Sequence, residues 1–517
     1  MNALLLAAAL GAAPVTAPAA VSTTTLDPQV LYTANCQVCH GEARLGLVGP
    51  ALLPENLDRL PKNKAVATIR EGRPATQMPP FQDKLAPAQI DALAAYLYTP
   101  PAVPVKWDLP EIRASHLALA NPATLSTKPV YKADRWNLFV VVETGDHHVT
   151  ILDGDKFEPI TRFQSRYALH GGPKFTKDGR YVFFASRDGW ISKFDLFNLV
   201  VVAEVRAGIN TRNLAVSDDG KFVLVGNYLP RTVVMLSAET LLPIKVFAAA
   251  STAGTSSRVS AVYAAPPRQS FIVALKDAKE LWEIRYAPPK GAWVHDYNRE
   301  SGDMLAVTTG FNIRRIPSDD FIDDFFFSPD YRYVFASDRD QAAGHVIDLD
   351  TGKKVTDVTM PGMPHLGSGI TWKRQGHTVM ATQNLKKGLV SVVNLDDWKT
   401  VGEIPLPGPG FFLRSHERTP YAWADGMMGA TKDTLQLIDK QTLAVAKTVT
   451  PAPGKTAAHV EFTKDGRYAL VSVWEMDGEL VVYDAKTLAV VKRLPMKKPS
   501  GKYNVWNKTH LEEGTSH

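Results

Sequence analysis

The chain has 517 residues, with 58 basic and 53 acidic side chains, and 45% of its residues are apolar. This is an ordinary globular composition, enough for several packed units of roughly 100–200 residues, and it excludes a disordered chain. A net charge of +5 with no long basic run gives no reason to expect a nucleic-acid partner, and two cysteines exclude a disulfide framework.

Residues 1–20 carry an apolar stretch from Ala3 to Ala13, then Pro14 and the small-residue segment Thr16-Ala17-Pro18-Ala19. An apolar core followed by small residues at a cleavage site is the pattern of a signal peptide, here without the usual basic residue near the start. The alternative is an ordered N-terminal helix. The stretch falls short of the roughly 20 apolar residues that span a bilayer, and no later segment reaches that length. No transmembrane segment is expected, and the protein is expected to be exported to the periplasm.

Residues 25–99 read as helical. Asp27-Pro28 is a cap with proline in the first turn, which would turn Val30, Leu31 and Ala34 inward. Ile90, Leu93, Ala94 and Leu97 recur at helical spacing before Pro100-Pro101. Between these helices lies Cys36-Gln37-Val38-Cys39-His40, the pattern for covalent attachment of a c-type haem. Two thiols one helical turn apart reach two vinyl groups of one porphyrin, and His40 then sits under the iron. A redox dithiol has no use for the histidine, and no second cysteine pair exists to complete a zinc site. Met78, the sole methionine of the segment, is the candidate second axial ligand. The segment resembles small c-type cytochromes, which implies one-electron transfer.

A Pro-rich linker covers 100–112, and the texture then changes to short apolar runs and tight turns. Eight segments share one alternation: Val149–Asp153, Ile191–Asp195, Val233–Ser237, Leu281–Arg285, Gly344–Asp348, Val390–Asn394, Leu435–Asp439 and Leu480–Asp484. Their last residues are 42 to 63 apart, and the widest interval holds an insertion around Pro288–Asp303. A second signal precedes several of them: Asp178-Gly179, Asp219-Gly220, Asp330-Tyr331 and Asp465-Gly466, each followed by a basic and an aromatic residue. Two hairpin signals in a period of 40–50 residues are those of a four-stranded propeller blade. Residues 113–517 are therefore expected to form an all-β eight-bladed propeller after the small all-α cytochrome c domain; a β-sandwich array is the alternative.

A c-type cytochrome joined to eight β units resembles the cytochrome cd1 family, whose propeller carries a non-covalent haem d1. Tyr167-Ala168-Leu169-His170 followed by Ser186-Arg187-Asp188-Gly189 is similar to the family segment that ligates the d1 iron and binds a macrocycle carboxylate. Thr211-Arg212-Asn213, Gly226-Asn227-Tyr228 and Arg258-Val259 stand where the family has further pocket residues, and Ser472-Val473-Trp474 and Pro499–Val505 resemble its last blade. The resemblance implies His170 as an iron ligand and Arg187, Arg212, Tyr228 and Arg258 as cofactor-binding residues. The family's nitrite reductases use two distal histidines, which align with Pro266 and Asp323 here. The phrases Phe321–Phe327 and Ala264–Pro267 are closer to the dihydro-haem d1 dehydrogenase branch.

That branch implies oxidation of a tetrapyrrole propionate to an acrylate in haem d1 biosynthesis, with electrons passed to the covalent haem c. Haem d1 or its dihydro form would be bound as product or substrate. Such chemistry needs a base near the propionate. His416 is the leading candidate as base or distal ligand, with Arg414 or Arg418 assisting; His365 is a pocket candidate, His459 is similarly placed, and His147-His148 are expected in solvent. Small electron-transfer proteins, and a cytochrome cd1 nitrite reductase accepting the product, are the implied partners. The alternatives are a nitrite reductase, a non-enzymatic haem d1 carrier, and a protein-binding propeller with a cytochrome attached.

Overall fold

The computed structural model describes residues 26–47, 49–58, 60–73, 78–287, 311–337 and 343–510. The signal-peptide segment 1–20 and the insertion at 288–303 lie outside the described residues.

The N-terminal unit is helical. Asp27 accepts the backbone N–H groups of Gln29 and Val30 and starts the helix Pro28–Asn35. Leu31 and Tyr32 face the core, whereas Val30 and Ala34 are exposed, so the inward stripe lies one residue away from the expected one. The helix Pro87–Leu97 buries Ile90, Leu93, Ala94 and Leu97 against Leu31, Leu57, Ile69 and Phe81.

Eight antiparallel sheets follow, seven of four strands and one extended to five. The eight repeated segments form the third strand of each sheet. The first sheet takes strands from both ends of the domain: Pro499–Asn504 pairs with Leu138–Glu143, followed outward by His148–Asp153 and Glu158–Gln164. This pairing closes the ring of blades. Inner strands such as Leu138–Glu143 are buried at every position because neighbouring blades cover both faces, while outermost strands such as Val445–Val449 are mostly exposed.

The Asp-Gly signals are hairpins joining first and second strands. Thr176 donates to Asp178 at 2.5 Å, Ser217 to Asp219 at 2.6 Å and Thr463 to Asp465 at 2.7 Å. The following residue has positive φ: 67° at Gly179, 67° at Gly220 and 69° at Gly466, with Tyr331 taking the same place at 58°.

Residues 109–112 do not act as linker. They belong to the helix Leu109–Ala114, capped by Asp108, and Ile112 is buried with Phe183, Val205 and Val234 between the second and third blades. The strand Leu117–Ala118 then adds to the outer edge of the second blade.

Candidate functional site

Cys36 joins the helices Pro28–Asn35 and Gln37–His40, and the N–H of His40 bonds to the Cys36 carbonyl at 2.9 Å. Both cysteines are partly buried and neither is used in a disulfide, which leaves both sulfurs for thioether bonds. His40 is buried, which holds its pKa below the ordinary value, so the ring is neutral near pH 7. Its Nδ1 lies 2.8 Å from the Pro50 carbonyl; the proton therefore resides on Nδ1, and Nε2 carries the lone pair that a metal requires. Gly49 packs so close that a Cβ there would come within 2.9 Å of the ring. Met78 packs half-buried against the same apolar core as Cys36. These groups fit a covalently held haem with a histidine ligand.

The second site is an axial cavity of about 1400 Å³, counting space continuous with solvent. Residues near the starts of the inner strands line it. His170 lies in the strand Leu169–Phe175 before a bulge formed by Gly171 and Gly172, both at positive φ, which returns Lys174 to the same cavity. A Cβ on Gly171 would meet Asn213 at 2.7 Å, so the bulge requires glycine there. His170 Nδ1 is 2.8 Å from the Arg212 carbonyl, fixing the proton on Nδ1. Its Nε2 accepts from Arg187 Nη2 and from Arg212 Nη1, each at 3.0 Å. His365 is held likewise, Nδ1 being 2.7 Å from the Phe411 carbonyl, and burial lowers its pKa.

His459 is the most constrained residue of the cavity. It is buried at φ 50° in a strand bulge between Ala458 and Val460, a conformation costly for a residue with a Cβ. Phe412 and Tyr503 flank its ring at centroid distances of 4.7 and 5.0 Å. Burial, with Lys502, Arg414 and Lys508 nearby, holds its pKa well below the usual value, so it is neutral. Its Nδ1 and the Nε1 of Trp474 are buried polar atoms of the cavity lining without a hydrogen-bond partner among the described residues. Two orphaned polar atoms facing one void indicate a ligand that satisfies them.

Arg212 and Arg414 bring two guanidinium charges to the lining, beside the amines of Lys174 and Lys508 and against the carboxylate of Asp324; burial holds the Lys508 pKa well below its ordinary value. Burial brings the Lys174 pKa down to about 8. Asp324 is occupied, accepting from Tyr263 at 3.0 Å and from the Gly367 N–H at 2.7 Å. Behind the wall Glu461 pairs with Arg414 at 3.0 Å. A cation-rich, half-apolar cavity with histidine lone pairs suits a planar metallated ligand bearing several carboxylates.

The sequence-predicted residues divide. His170, Arg212 and His365 line the cavity, and Arg187 reaches it through His170. His416 does not. It is buried beside Phe462 against the turn at Gly466 of the next blade, and its Nδ1 accepts the Arg418 N–H at 3.1 Å, so it braces the first turn of its own blade; His459 occupies the cavity position instead. Arg258 also turns away. It pairs with Asp277 at 2.6 Å and lies 3.6 Å from Asp58 of the cytochrome unit, above the ring of Tyr228, which is likewise not in the lining. Pro266 belongs to the turn Pro266–Arg268 and Asp323 pairs with Lys276; neither lines the cavity. Arg418 is exposed, His147 packs on Tyr167, and His148 pairs with Asp146. Lys174, Lys508 and Tyr503 were not singled out as site residues in the sequence. The one available signal was Gly171-Gly172-Pro173 inside a strand, which marks a bulge.

Residues 133–508 match the family model of the cytochrome D1 heme domain, and 23–97 match that of cytochrome c oxidase, cbb3-type, subunit III. A dihydro-heme d1 dehydrogenase of Pseudomonas aeruginosa is 57% identical over 95% of this chain and 95% of its own. The chain belongs to the dihydro-heme d1 dehydrogenase family. A solved structure of that family, the dehydrogenase NirN in complex with DHE, superposes with a TM-score of 0.87 at 57% identity, covering 93% of this chain and 99% of the other. A nitrite reductase of Stutzerimonas stutzeri is more distant, 26% identical over 92% of each chain. Among the described residues of this family member no helix is long and apolar enough to cross a membrane.

Proposed function

We propose that the chain is a periplasmic dihydro-haem d1 dehydrogenase. It oxidises a propionate of the tetrapyrrole to an acrylate, removing two protons and two electrons from adjacent carbons. The observation that carries this reading is the orphaned Nδ1 of neutral His459, set in a strained backbone inside a cation-rich cavity that also presents His170. The relative named for this activity, at 57% identity across the whole length, supports it.

The chain's residues divide the work. His170 holds its proton on Nδ1 and offers Nε2 to the substrate iron. Arg187 and Arg212, which rest on that nitrogen, are released toward the substrate's carboxylates, and Lys174, beyond the strand bulge, and Lys508, in the C-terminal helix Val505–His510, receive others. His459, uncharged, accepts a proton from the propionate, while Phe412 and Tyr503 keep its ring in place. The haem c that Cys36, Cys39 and His40 would hold, with Met78 as second ligand, would accept the two electrons one at a time, each passed outward to a small electron-transfer protein, while the second proton leaves to water. Export before haem attachment, a role in denitrification, delivery of the product to a nitrite reductase, and small electron-transfer proteins as acceptors all belong to this reading.

The test is a mass measurement. Protein loaded with a pigment two mass units heavier than haem d1 and given an oxidant should release pigment lighter by two. Release of the pigment unchanged would overturn the reading and favour a carrier.

A further inference from the structure

A buried guanidinium bridges the cytochrome unit and the propeller. Arg206 ends the fourth strand of the second blade, Val200–Arg206, and is 7% exposed. Its Nε donates to the Asp188 carbonyl at 2.8 Å, and its Nη2 donates to the carbonyl of Leu45. The guanidinium stacks 5.0 Å from the centroid of Trp107, whose indole N–H bonds back to the Arg206 carbonyl at 2.9 Å. The two carbonyls it joins are not arbitrary. Leu45 belongs to the loop after the haem-attachment helix, where the Gly46 N–H bonds to the His40 carbonyl at 2.7 Å. Asp188 follows Arg187, the residue on His170 Nε2. Beside this bridge Ala51 and Leu53 of the cytochrome unit bury themselves against Ile209.

The geometry points to Arg206 as a positioning residue that locks the haem-attachment loop onto the blade carrying the tetrapyrrole ligand, and so fixes the separation between the two redox sites. A planar guanidinium can serve both carbonyls at once, whereas a lysine ammonium on a flexible stem reaches one or the other without fixing their distance. The contact is with backbone carbonyls, so no acidic partner is needed, and it persists whatever charge the bound groups carry. Gly46 fits the same purpose. A Cβ there would approach Arg206 Nη2 to 3.1 Å and the Ala51 nitrogen to 2.8 Å.

This inference rests on the proposed electron path from cavity to haem c, and its test separates the two. Hydrogen exchange on the full chain with haem c attached and no pigment reads docking alone: Arg206→Ala should exchange at least about tenfold faster at residues 44–53, with Arg206→Lys between it and the wild type. In pigment-loaded protein, single-turnover reduction of haem c should slow by about 100-fold in Arg206→Ala, as misplacement of reacting groups does, while pigment affinity stays within about threefold and the haem c potential is kept. Unchanged exchange, or an electron-arrival rate within twofold of wild type, overturns the role of Arg206. If wild-type protein sends no electrons to haem c, the dehydrogenase reading fails while the exchange experiment still decides docking.

Discussion

Arg187 Nη2 lies 3.0 Å from His170 Nε2, the nitrogen that the Nδ1 hydrogen bond leaves unprotonated. A cation resting on an imidazole lone pair keeps that lone pair from being protonated, and both groups are reset together when an iron and its carboxylates arrive. His170→Ala should therefore remove the axial ligand while leaving the carboxylate clamps. The absorption spectrum of the bound pigment would lose its histidine-ligated form, and added imidazole should restore it. A spectrum identical to wild type would assign the ligand elsewhere.

His459 and His416 give opposite expectations. His459→Ala should bind pigment with affinity close to wild type and slow its oxidation by ~10²–10⁴-fold, the usual contribution of a positioned base. His416→Ala should lower the melting temperature through the lost turn contact and keep single-turnover oxidation near the wild-type rate. Mass spectrometry of the pigment after one turnover checks both.

Lys174 sets a pH dependence. With its pKa at about 8, the ammonium is charged at neutral pH and loses its proton as pH rises through that value. Affinity for the carboxylate-bearing pigment should fall above pH 8 in the wild type. Lys174→Met should bind about tenfold more weakly at pH 7, the strength of one charge-assisted hydrogen bond, and show no such decline. Titration of pigment binding from pH 6.5 to 9.5 measures this.

Asp425 is fully buried and accepts the N–H groups of Phe411 at 2.9 Å, Phe412 at 2.8 Å and His459. Burial raises its pKa to about 6. A carboxyl raised in the folded state lends stability below its unfolded value near 4, and that stability is lost as pH rises through 6. Relative to Asp425→Asn, the wild type should lose about 2 kcal/mol between pH 4 and pH 7. Urea unfolding of both proteins across that range reads the difference.

Glu461→Gln leaves Arg414 charged and without its carboxylate in a site where the two side chains are 4% and 1% exposed. A cost of about 3–5 kcal/mol is expected. Glu461→Gln combined with Arg414→Met should recover part of it, since the pair is then removed together; chemical denaturation of single and double variants tests this.

Cys36, Cys39 and His40 could be read from the chain because a covalent haem requires its ligands within one helical turn, and local spacing is what sequence displays. The eight blades were legible for a related reason: each repeats its alternation and its Asp-Gly turn, and both depend on backbone conformations a few residues long. The cavity was harder to read because it gathers residues from every blade. His416 and His459 look alike in sequence, each within a few residues of an inner strand. They separate only because a bulge at φ 50° directs one ring into the axis, while a loop folds the other beneath Gly466.

Arg258 shows the same limit from another side. Nothing local tells that Asp58, 200 residues earlier, lies 3.6 Å from its guanidinium at the domain junction. The sequence by itself determined the covalent haem and the number of blades, because each is written in short-range pattern. Tertiary structure alone decided which histidines, lysines and arginines line the axial cavity, since that depends on how eight independent strand ends converge on one axis.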